Sequence, residues 1–531
     1  MPGAVVGRRE PRVQAVRQCQ NSRMKSEAEL VAVALGLGAA DFGGPLVAAE
    51  RRLIAGVVSV ERPDLAGAIR LGADPLGDAF IALRSPLTRR SVGAFYTPPE
   101  IVGPMVAWAL AQSPIRVVDA GCGSGRFAMA VARTDSSVEI VAVDMDPLAT
   151  LLTRANLAVL NARHATVLNA DYLTVRLPDH DGITAWVGNP PYVRHHDLDP
   201  CAKAWAVRTA KHMKHKVSGL AGLHALFFLA TAAKAKPGDV GCFVTSAEWL
   251  DVSYGSVVRN LLLNGLGGAS LDLFDPRSIP FADVMTTALI TSFVVGSERE
   301  HLAVRLVSGE ADIRLGDGTL VEIKRVASSS RWTELFRAPG TVGGETLGSV
   351  ARVHRGVATG ANAFFTMTKA EAQSRGLSKW ARPAITGAEE IIQSSGIVRD
   401  GPGRRILIDL PAVRRDELPQ AALEFVEAGE REGINRRYLA EHRSPWWRLG
   451  PKAPPIVASY MARRAPVFAL NPDGLVPLNV AHGIWPRQGI DAAELVARLN
   501  AAATSFVGSG RTYHGGLEKF EPREMEALLL P

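Results

Sequence analysis

A short apolar strand that runs straight into a glycine-rich turn constrains this chain more than any other feature. Residues 115–120 (IRVVDA) have the apolar, β-branched pattern of a buried strand, and the turn at residues 121–125 (GCGSG) follows at once. A helix is predicted over residues 127–133. Glycines let the backbone of such a turn approach a ligand closely, and the helix start offers N–H groups without intrahelical partners. The segment therefore predicts a strand–turn–helix unit with a ligand-binding turn.

Strand and helix go on alternating from residue 91 to residue 298. Three more segments have the pattern of buried strands: EIVAVD (139–144), TAWVGN (184–189) and VGCFVTS (240–246). Amphipathic helices are predicted between these strands, for example over residues 223–235. This alternation is typical of a parallel sheet covered by helices on both faces. We predict a doubly wound α/β domain, whose ligands bind beyond the carboxyl ends of the strands.

The regions on either side of this domain have different patterns. Residues 1–25 form a basic tail, and residues 26–90 have apolar positions at helical spacing with Gly and Pro breaks. Residues 299–330 predict a β-hairpin linker, with a Gly-Asp-Gly turn at 316–318 between DIRL and LVEIKRV. From residue 331 to 531, turns, Arg, Trp and Pro become frequent, which indicates a second, mixed α/β domain.

Bulk composition excludes several classes of protein. A chain of 531 residues needs more than one core, and 47% hydrophobic with 21% charged residues is typical of a globular protein. No segment reaches the roughly 20 apolar residues of a membrane span, and the Arg- and Gln-rich N-terminus lacks an apolar signal core, which favours a cytoplasmic protein. Four scattered cysteines without metal-ligand spacing predict no bound metal. The net charge of +7 is compatible with a polyanionic partner but does not select one.

Acidic residues close two of the predicted strands. Asp144 ends the second strand about twenty residues beyond the glycine-rich turn, where a carboxylate can accept both ribose hydroxyls of an adenosine moiety. This pairing favours a nucleoside cofactor, and a nicotinamide dinucleotide is the alternative. A further strand, between EIVAVD and TAWVGN, is followed by residues 169–172 (NADY), in which Asp171 and Tyr172 can meet an adenine by hydrogen bond and stacking. The alternative for this pair is a helix N-cap and a core tyrosine.

The tetrapeptide at residues 189–192 (NPPY), at the end of the TAWVGN strand, carries the chemistry. An exocyclic base amine is a poor nucleophile, because its lone pair is delocalised into the ring. The Asn189 carboxamide oxygen and the Pro190 carbonyl can each accept one N–H of that amine, which favours the pyramidal nitrogen able to attack. Pro190 and Pro191 restrict the backbone, so the two acceptors are preorganised. Tyr192 offers a ring on which the target base can stack.

A second motif lies upstream of the glycine-rich turn. Thr97 is predicted as the N-cap of a helix that begins near residue 101, with Pro98 at its first position and Glu100 completing a capping box. Capping explains Thr-Pro-Pro-Glu completely. It does not explain the preceding pair, Phe95 and Tyr96, which is suited to lining a cofactor pocket.

In this order, the motifs FYTPPE, DAGCGSG, VDMD, NADY and NPPY resemble the gamma-class N6-adenine DNA methyltransferases of restriction–modification systems, the TaqI-like group. The resemblance runs over residues 76–296. It resumes with RGVATGANAFF (355–365) and YHGGLEKFEP (513–522), which are similar to phrases of the TaqI-like specificity domain. It implies a Rossmann-like class I fold, S-adenosylmethionine (SAM) as the cofactor, double-stranded DNA as the partner, and a second domain (331–531) that recognises the target site. A separate cognate restriction endonuclease is a further implied partner.

The resemblance also implies a role for each matching residue on the cofactor side. The FYTPPE motif is expected to border the methionine part of the cofactor, which would lie over the glycine-rich turn. The ribose and the adenine of the cofactor are expected at the residues that follow the next two strands. The implied residues are Phe95, Tyr96 and Thr97 at the border of the methionine part, Asp119, Gly121 and Gly123 beneath it, Asp144 at the ribose, and Asp171 with Tyr172 at the adenine.

On the target side the resemblance implies that Asn189, Pro190 and Tyr192 hold a flipped-out adenine, with Pro191 completing the motif. The chain departs from the family at one position. The family usually has an aromatic residue that stacks on the other face of the base, and here Ile279 stands in its place with Phe281 two positions on. The sequence does not decide between them.

Alternative functions remain open from the sequence alone. NPPY also occurs in methyltransferases that modify a glutamine of release factors, and related tetrapeptides act on rRNA or on cytosine N4. The second domain argues against a small glutamine-modifying enzyme, which has no use for a specificity domain. A DNA-binding specificity or defence subunit that works only within a complex is the alternative from a different class.

Several further segments have two interpretations. The run over 203–216 (KAWAVRTAKHMKHK) is either a solvated helix face or a grip on DNA phosphates. Asp317 with Glu322 and Lys324 imitates a nuclease metal site, and a cross-strand charge pair on a solvated face is the more ordinary interpretation. In the second domain the candidates for DNA contact are Arg352, Arg355, Arg436, Arg437, Trp446, Trp447 and Arg448.

Overall fold

The computed structural model describes residues 24–85, 97–275, 287–309, 313–336, 345–462, 464–506, 510–513 and 517–530. The chain divides into two compact units, Met1–Ala338 and Pro339–Pro531.

A nine-stranded sheet forms the centre of the first unit. Its strands are β1 (Arg116–Ala120), β2 (Glu139–Asp144), β3 (Ala165–Asn169), β4 (Thr184–Gly188), β5 (Val240–Ser246), β6 (Gly268–Phe274), β7 (Ala288–Val294), β8 (His301–Val307) and β9 (Thr319–Glu322). Their spatial order is β3-β2-β1-β4-β5-β7-β6-β8-β9. Strands β1 to β5 are parallel, and β7 is antiparallel to both β5 and β6. The predicted doubly wound α/β class is therefore confirmed.

Helices cover this sheet. In chain order they are α1 (Glu27–Gly36), α2 (Ala48–Ile54), α3 (Pro63–Arg70), α4 (Pro75–Leu83), α5 (Pro99–Leu110), α6 (Arg126–Thr134), α7 (Pro147–Val159), α8 (Pro200–His212), α9 (Leu223–Lys234), α10 (Ser256–Asn264) and α11 (Ile323–Ser328). One apolar cluster packs α9 and α10 against the sheet, and a second packs α5 and α6 against it. Burial on both faces explains why β1 and β4 are apolar at consecutive positions rather than at alternate ones.

Helix α5 starts one residue later than its sequence predicts, so the prediction that Thr97 caps it is wrong. Pro98 is the N-cap, with an extended backbone at φ −60° and ψ 148°, and Pro99 is the first helical residue. A residue before proline is disfavoured in the helical region, so Pro98 cannot start the helix when Pro99 follows it. This shift releases the Thr97 side chain for another partner.

The N-terminal helices α1 to α4 lie against α7 and the outer edge of the sheet. Arg154 of α7 and Glu50 of α2 are both fully buried and form an ion pair of 2.9 Å. Arg154 also donates to the carbonyl oxygens of Phe42 and Gly44. The Gly43 carbonyl accepts the N–H of Val167 in β3 at 2.9 Å, so this loop covers the edge strand. The helical N-terminal segment is thereby built into the first unit.

The hairpin predicted over 299–330 exists, but with different strands. Strand β8 pairs antiparallel with β9, and β8 also pairs with β6, so the hairpin extends the main sheet instead of linking two domains. Residues 313–315 of the DIRL segment are not a strand, and LVEIKRV is a strand only to Glu322, where α11 begins. The expected placement of Glu322 and Lys324 on one strand face is therefore wrong.

The second unit is mixed α/β, as predicted. Its strands are β10 (Ala351–Arg355), β11 (Thr366–Met367), β12 (Ala381–Ile385), β13 (Ile406–Ile408), β14 (Ile456–Ser459), β15 (Met461–Ala462), β16 (Phe468–Leu470), β17 (Val476–Pro477), β18 (Ala481–Pro486), β19 (Arg511–Tyr513) and β20 (Leu517–Lys519). They form three sheets, ordered β10-β18-β14-β16, β11-β13-β12-β17 and β15-β20-β19. The helices are α12 (Leu347–Val350), α13 (Asn362–Phe365), α14 (Lys369–Ser374), α15 (Glu389–Ile392), α16 (Gln420–Arg431), α17 (Tyr438–Glu441), α18 (Ala492–Ala502) and α19 (Pro522–Glu526).

Two of the candidate DNA contacts in this unit pack in an apolar core, Trp447 fully buried and Trp446 half-buried. Trp447 is buried and donates its indole N–H to the Pro411 carbonyl at 3.1 Å. Trp446 packs against Phe364 and Phe365. Tryptophan in an Arg-rich segment is ambiguous from sequence, and here apolar packing decides its position.

In the part of the chain that the structure describes, no helix is long and apolar enough to cross a membrane. The same residues contain no group of His, Cys, Asp and Glu side chains that could hold a metal ion.

Candidate active site

The carboxyl ends of β1, β2 and β4 bring the sequence motifs together at one edge of the sheet. In the parallel register, Asp119 of β1 lies opposite Ala142 of β2 and Val187 of β4. The turn after β1 is therefore flanked by Asp144 on one side and by Asn189 on the other.

The glycine-rich turn has the backbone that its sequence predicts. Gly121, Gly123 and Gly125 have φ values of 72°, 58° and 86°, in the left-handed region that favours glycine. A side chain at Gly125 would come within 2.9 Å of Thr153, whereas one at Gly123 would meet nothing within 4 Å. The turn thus packs closely on α7 at one end and is open where Gly123 faces outward.

Two carboxyl groups lie on this turn. Asp144 accepts the backbone N–H of Gly123 and that of Asp146, each at 2.9 Å. Asp119 accepts the N–H of Ala128 through Oδ2 at 3.0 Å, and its buried Oδ1 has no hydrogen-bond partner among the described residues. Burial raises the pKa of Asp119 to about 7 and also raises that of Asp144. A ligand that brings a positive charge and hydroxyl donors fits these two groups, which is the chemistry of an amino-acid nucleoside.

The acid and aromatic after β3 have different positions. Asp171 is exposed, and it accepts the N–H of Leu173. Tyr172 is buried, with its ring stacked on Phe227 at 4.7 Å and its hydroxyl hydrogen-bonded to Thr231 at 2.7 Å. Tyr172 thus has the position of a core tyrosine, which is the alternative interpretation of this residue. Asp171 remains a candidate for the adenine.

The Asn-Pro-Pro-Tyr turn sits directly beside the glycine-rich turn. Gly188, the last residue of β4, has φ 154°, and a side chain on it would come within 2.5 Å of the Ala120 carbonyl oxygen. A side chain at Gly121 would lie 3.7 Å from Cδ of Pro191. The two turns therefore touch, and the side chain of Asn189 starts from the same edge as the cofactor candidates.

Thr97 contacts the Asn-Pro-Pro-Tyr turn. Its buried hydroxyl accepts a hydrogen bond from Nδ2 of Asn189 at 3.0 Å. A carboxamide that donates through its nitrogen here has its oxygen on the other branch of the amide. In the structure the contact therefore engages the nitrogen end of the Asn189 side chain.

Tyr192 is half-buried and meets His224 edge to face at 6.4 Å. Burial lowers the pKa of His224 to about 4, so its imidazole is neutral near pH 7. A neutral ring beside Tyr192 keeps the surroundings of that side chain apolar.

Sequence reasoning missed three residues of this site. Met145 follows Asp144 and is 72% exposed, which is unusual for a methionine next to a buried strand. Phe227 faces both Tyr172 and the position of Gly121. His224 adjoins Tyr192. The position of Met145 after a strand-ending acid was the available signal, whereas Phe227 and His224 lie in an apolar helix that has no distinguishing pattern.

Four candidate residues fall outside the described residues. They are Phe95 and Tyr96 at the predicted cofactor border, and Ile279 and Phe281 at the predicted second face of the target base.

The strand order, the antiparallel β7 and the glycine-rich turn beside two acids define a class I SAM-dependent methyltransferase domain. Family models agree with this class. The methyltransferase small domain matches residues 106–216, the Eco57I restriction-modification methylase matches residues 177–271, and the C-terminal domain of the type II methyltransferase M.Eco57I matches residues 341–531.

Similar proteins narrow the class. The type II methyltransferase M.XamI of Xanthomonas campestris pv. amaranthicola is 42% identical over 525 residues, which cover 96% of this chain and 98% of that protein. M.AccI of Acinetobacter calcoaceticus is 24% identical over 467 residues, covering 82% and 85%. The type IIL restriction-modification enzyme MmeI, solved in complex with DNA, has a similar fold, with TM-score 0.54 at 13% identity over 83% of this chain and 70% of MmeI. The chain belongs to the type II DNA methyltransferases of restriction–modification systems, and its cofactor is SAM.

Proposed function

We propose that this chain is a site-specific adenine N6-methyltransferase, which acts on an adenine turned out of the DNA duplex. The contact between the two turns carries the proposal. Because Pro191 lies against the position of Gly121, a base held by the Asn-Pro-Pro-Tyr turn is next to whatever lies on the glycine-rich turn. Adjacent sites for the two reactants make direct, in-line transfer geometrically accessible.

On the base side, Asn189 Oδ1 and the Pro190 carbonyl accept the two hydrogens of the adenine N6 amine. Accepting both hydrogens favours a pyramidal nitrogen with an available lone pair, which stabilises the transition state more than the ground state. A bond between N6 and the methyl carbon would form as the bond from that carbon to the sulfur broke, and the amine proton would leave to water. Tyr192 supports one face of the base.

On the cofactor side, the carboxylates hold the polar groups. Asp144 suits the ribose hydroxyls, Asp119 the positively charged methionine end, and Asp171 the adenine. When bound, SAM supplies an electrophilic methyl group and a neutral thioether leaving group, so no metal or covalent nucleophile is required. Tyr172 acts through Phe227, on which it stacks. Phe95, Tyr96 and Thr97 border the methionine in this proposal, which for the first two rests on the resemblance alone.

DNA binding involves both units in this proposal. In the first unit, Arg208, Lys211, Lys214 and Lys216 are exposed and have no ion pair among the described residues, shortly after the Asn-Pro-Pro-Tyr turn in the chain. Unpaired cations of this kind suit phosphate contacts. We assign site recognition to residues 331–531, which overlap the match to the M.Eco57I C-terminal domain. A separate cognate endonuclease accounts for the restriction activity of such a system.

The test is single-molecule sequencing of DNA from an unmethylated host that expresses this chain, beside Asn189→Ala. We expect N6-methyladenine at one short motif, at least about 100-fold reduced in the variant because a transition-state acceptor is lost. The matched control is Asn161→Ala, which changes an asparagine in the loop after α7, away from the carboxyl edge, and should leave methylation unchanged.

Other outcomes identify the alternatives. Detection of N4-methylcytosine at the motif would show that the target base is cytosine and not adenine. No modified base in either sample would contradict action on DNA by this chain alone. Transfer of labelled methyl groups to RNA, to release factors, or to DNA in the presence of partner subunits would then separate the remaining alternatives.

A further inference from the structure

The N-terminal helical segment contacts the glycine-rich turn and the loop after β2, although its sequence carries no motif. Asp74, the N-cap of α4, is buried and accepts hydrogen bonds from Ser124 in the glycine-rich turn at 2.6 Å and from Arg126 at 2.8 Å. A side chain at Gly77 would come within 2.1 Å of Asp74 and 2.4 Å of Ser124. Helix α4 therefore lies directly on the glycine-rich turn, with no space between them.

The other end of α4 reaches the second cofactor loop. Arg84, which follows the helix, pairs with Asp146 at 2.6 Å, and the backbone N–H of Asp146 donates to Asp144. Its guanidinium also lies over the Phe80 ring at 4.1 Å. One nine-residue helix thus spans the loops after β1 and β2.

Arg126 extends this contact towards the target side. It pairs with Asp74 and, through Nη2, with Asp78 at 2.8 Å, and its Nη1 donates to the Thr97 carbonyl at 3.4 Å. The Thr97 hydroxyl in turn accepts from Nδ2 of Asn189. A continuous series of contacts therefore joins α4 to the proposed catalytic carboxamide.

We propose that Thr97 and Arg126 are positioning residues for Asn189, anchored by helix α4. This deepens the proposed function and rests on it, because orientation matters only if the Asn189 oxygen is the acceptor for the base amine. With Nδ2 engaged by Thr97, the oxygen branch is directed to the amine. Without that partner, the carboxamide can rotate by 180° and present a donor where the chemistry needs an acceptor.

The main test compares Thr97→Val, which is nearly the same shape without the hydroxyl, with Thr97→Ser, which retains it. We expect Thr97→Val to lower the single-turnover methyl-transfer rate constant about tenfold, with the SAM dissociation constant unchanged within about threefold. Thr97→Ser should recover most of the rate. A large loss of SAM affinity in Thr97→Val, with no effect on the rate constant at saturating SAM, would overturn the positioning role, because only the bordering contact of Thr97 with the cofactor would remain.

A double-mutant cycle tests the link to Arg126. We expect Arg126→Gln to lower the rate constant about fivefold, and the double variant to be no slower than Thr97→Val alone, since both changes act through one contact. Additive losses would contradict the link. Asp64→Asn is the matched control, because Asp64 is an exposed acid of the same segment whose partner is Arg62, and its rate should equal that of the unmodified chain.

A readout without activity separates this proposal from the proposed function. The side-chain amide resonance of Asn189, in protein labelled with ¹⁵N-asparagine and assigned by Asn189→Asp, should shift in Thr97→Val and stay nearly unchanged in Thr97→Ser. An unshifted resonance in Thr97→Val overturns the positioning role even in active enzyme. If the resonance shifts but the unmodified chain does not methylate adenine, the proposed function is contradicted. The hydrogen bond between Thr97 and Asn189 is supported in that case.

Discussion

The two turns at the carboxyl edge of the sheet are held in different ways. The glycine-rich turn takes its shape from three left-handed glycines, and its polar groups Gly123 N–H and Ser124 hydroxyl donate to Asp144 and Asp74. The Asn-Pro-Pro-Tyr turn depends on Thr97, 92 positions away, and on the close approach of Gly188 to β1. The backbone shape of the glycine-rich turn is therefore set by its own glycines, whereas the Asn-Pro-Pro-Tyr turn has its shape set by contacts with distant parts of the chain.

The largest expected effect on the rate of methyl transfer comes from a change at the Asn-Pro-Pro-Tyr turn. Gly188→Ala places a methyl group where the Ala120 carbonyl lies 2.5 Å away, so the turn must move. Displacement of a reacting group by about 1 Å costs roughly 100-fold in rate, and we expect a loss of that size in single-turnover methyl transfer. SAM binding, measured by calorimetry, should change less than about threefold if the two turns are independent.

Gly182→Ala is the control for this change. Gly182 precedes the same strand at its other end and also has a positive φ of 114°, but the nearest neighbour is the flexible end of Ile115. We expect a stability loss of about 1 kcal/mol and an unchanged rate constant. An equal loss of rate in both variants would mean that strain in β4 is transmitted globally, and the comparison of the two turns would fail.

A change beside the glycine-rich turn should weaken SAM binding more than it slows methyl transfer. Asp144→Ala removes the acceptor of two backbone N–H groups and the proposed ribose contact, so we expect the SAM dissociation constant to rise about 30-fold, or ~2 kcal/mol. The rate constant at saturating SAM should fall much less. Asp135→Asn, a half-buried acid after α6 that accepts hydrogen bonds from Ser137, is the control and should leave affinity unchanged. A slow Asp144→Ala enzyme with normal SAM affinity would reverse the assignment.

Lowering the pH from 8 to 6 should weaken SAM binding about tenfold. The pKa of Asp119 is raised to about 7 by burial, and the carboxylate is the form that binds a cationic methionine group. Below pH 7 the proton must be removed before binding, at a cost of up to tenfold in affinity for each pH unit, whereas above pH 7 affinity levels off. We expect calorimetric titrations at pH 6 and pH 8 to differ about tenfold, and Asp119→Asn to abolish the difference. Equal affinities in the unmodified chain would contradict this role of Asp119.

The smallest expected effect concerns the basic segment over residues 203–216, which follows the Asn-Pro-Pro-Tyr turn in the chain. Replacement of Lys211 and Lys214 by glutamine should weaken DNA binding about fivefold near 0.15 M salt and reduce the slope of log K against log salt by about two. SAM affinity should stay the same. Lys324→Gln with Arg325→Gln on α11 is the control pair, and an equal change in slope there would show that only net charge matters.

Much of the fold follows from local pattern, because buried strands are continuous apolar runs. The predicted bounds of β2 and β5 agree with the structure, and helix α9 ends within one residue of its prediction. The LVEIKRV segment shows the limit. A short apolar–charged run fits a strand or a helix equally well, and the partner that stops β9 at Glu322 is not encoded locally.

The site divides in the same way. The glycine-rich turn and Asp144 are predictable, since each follows from one short segment. The role of Thr97 is not, because Thr-Pro-Pro-Glu satisfies capping rules on paper and only the second proline moves the helix start. The burial of Tyr172 depends on Phe227, 55 positions later, for which the sequence around Tyr172 has no signal.

The loop that covers β3 has a practical consequence for anyone who trims this chain. A fragment that starts at the catalytic motifs would lose Gly43, whose carbonyl accepts the Val167 N–H, and would expose the backbone of an edge strand. The fragment would also lack Glu50, which would leave the buried Arg154 guanidinium without its ion-pair partner. Open sheet edges recruit strands from other molecules, so such a fragment would aggregate in expression cultures. Soluble catalytic fragments of this methyltransferase should therefore retain the sequence from Met24 onwards.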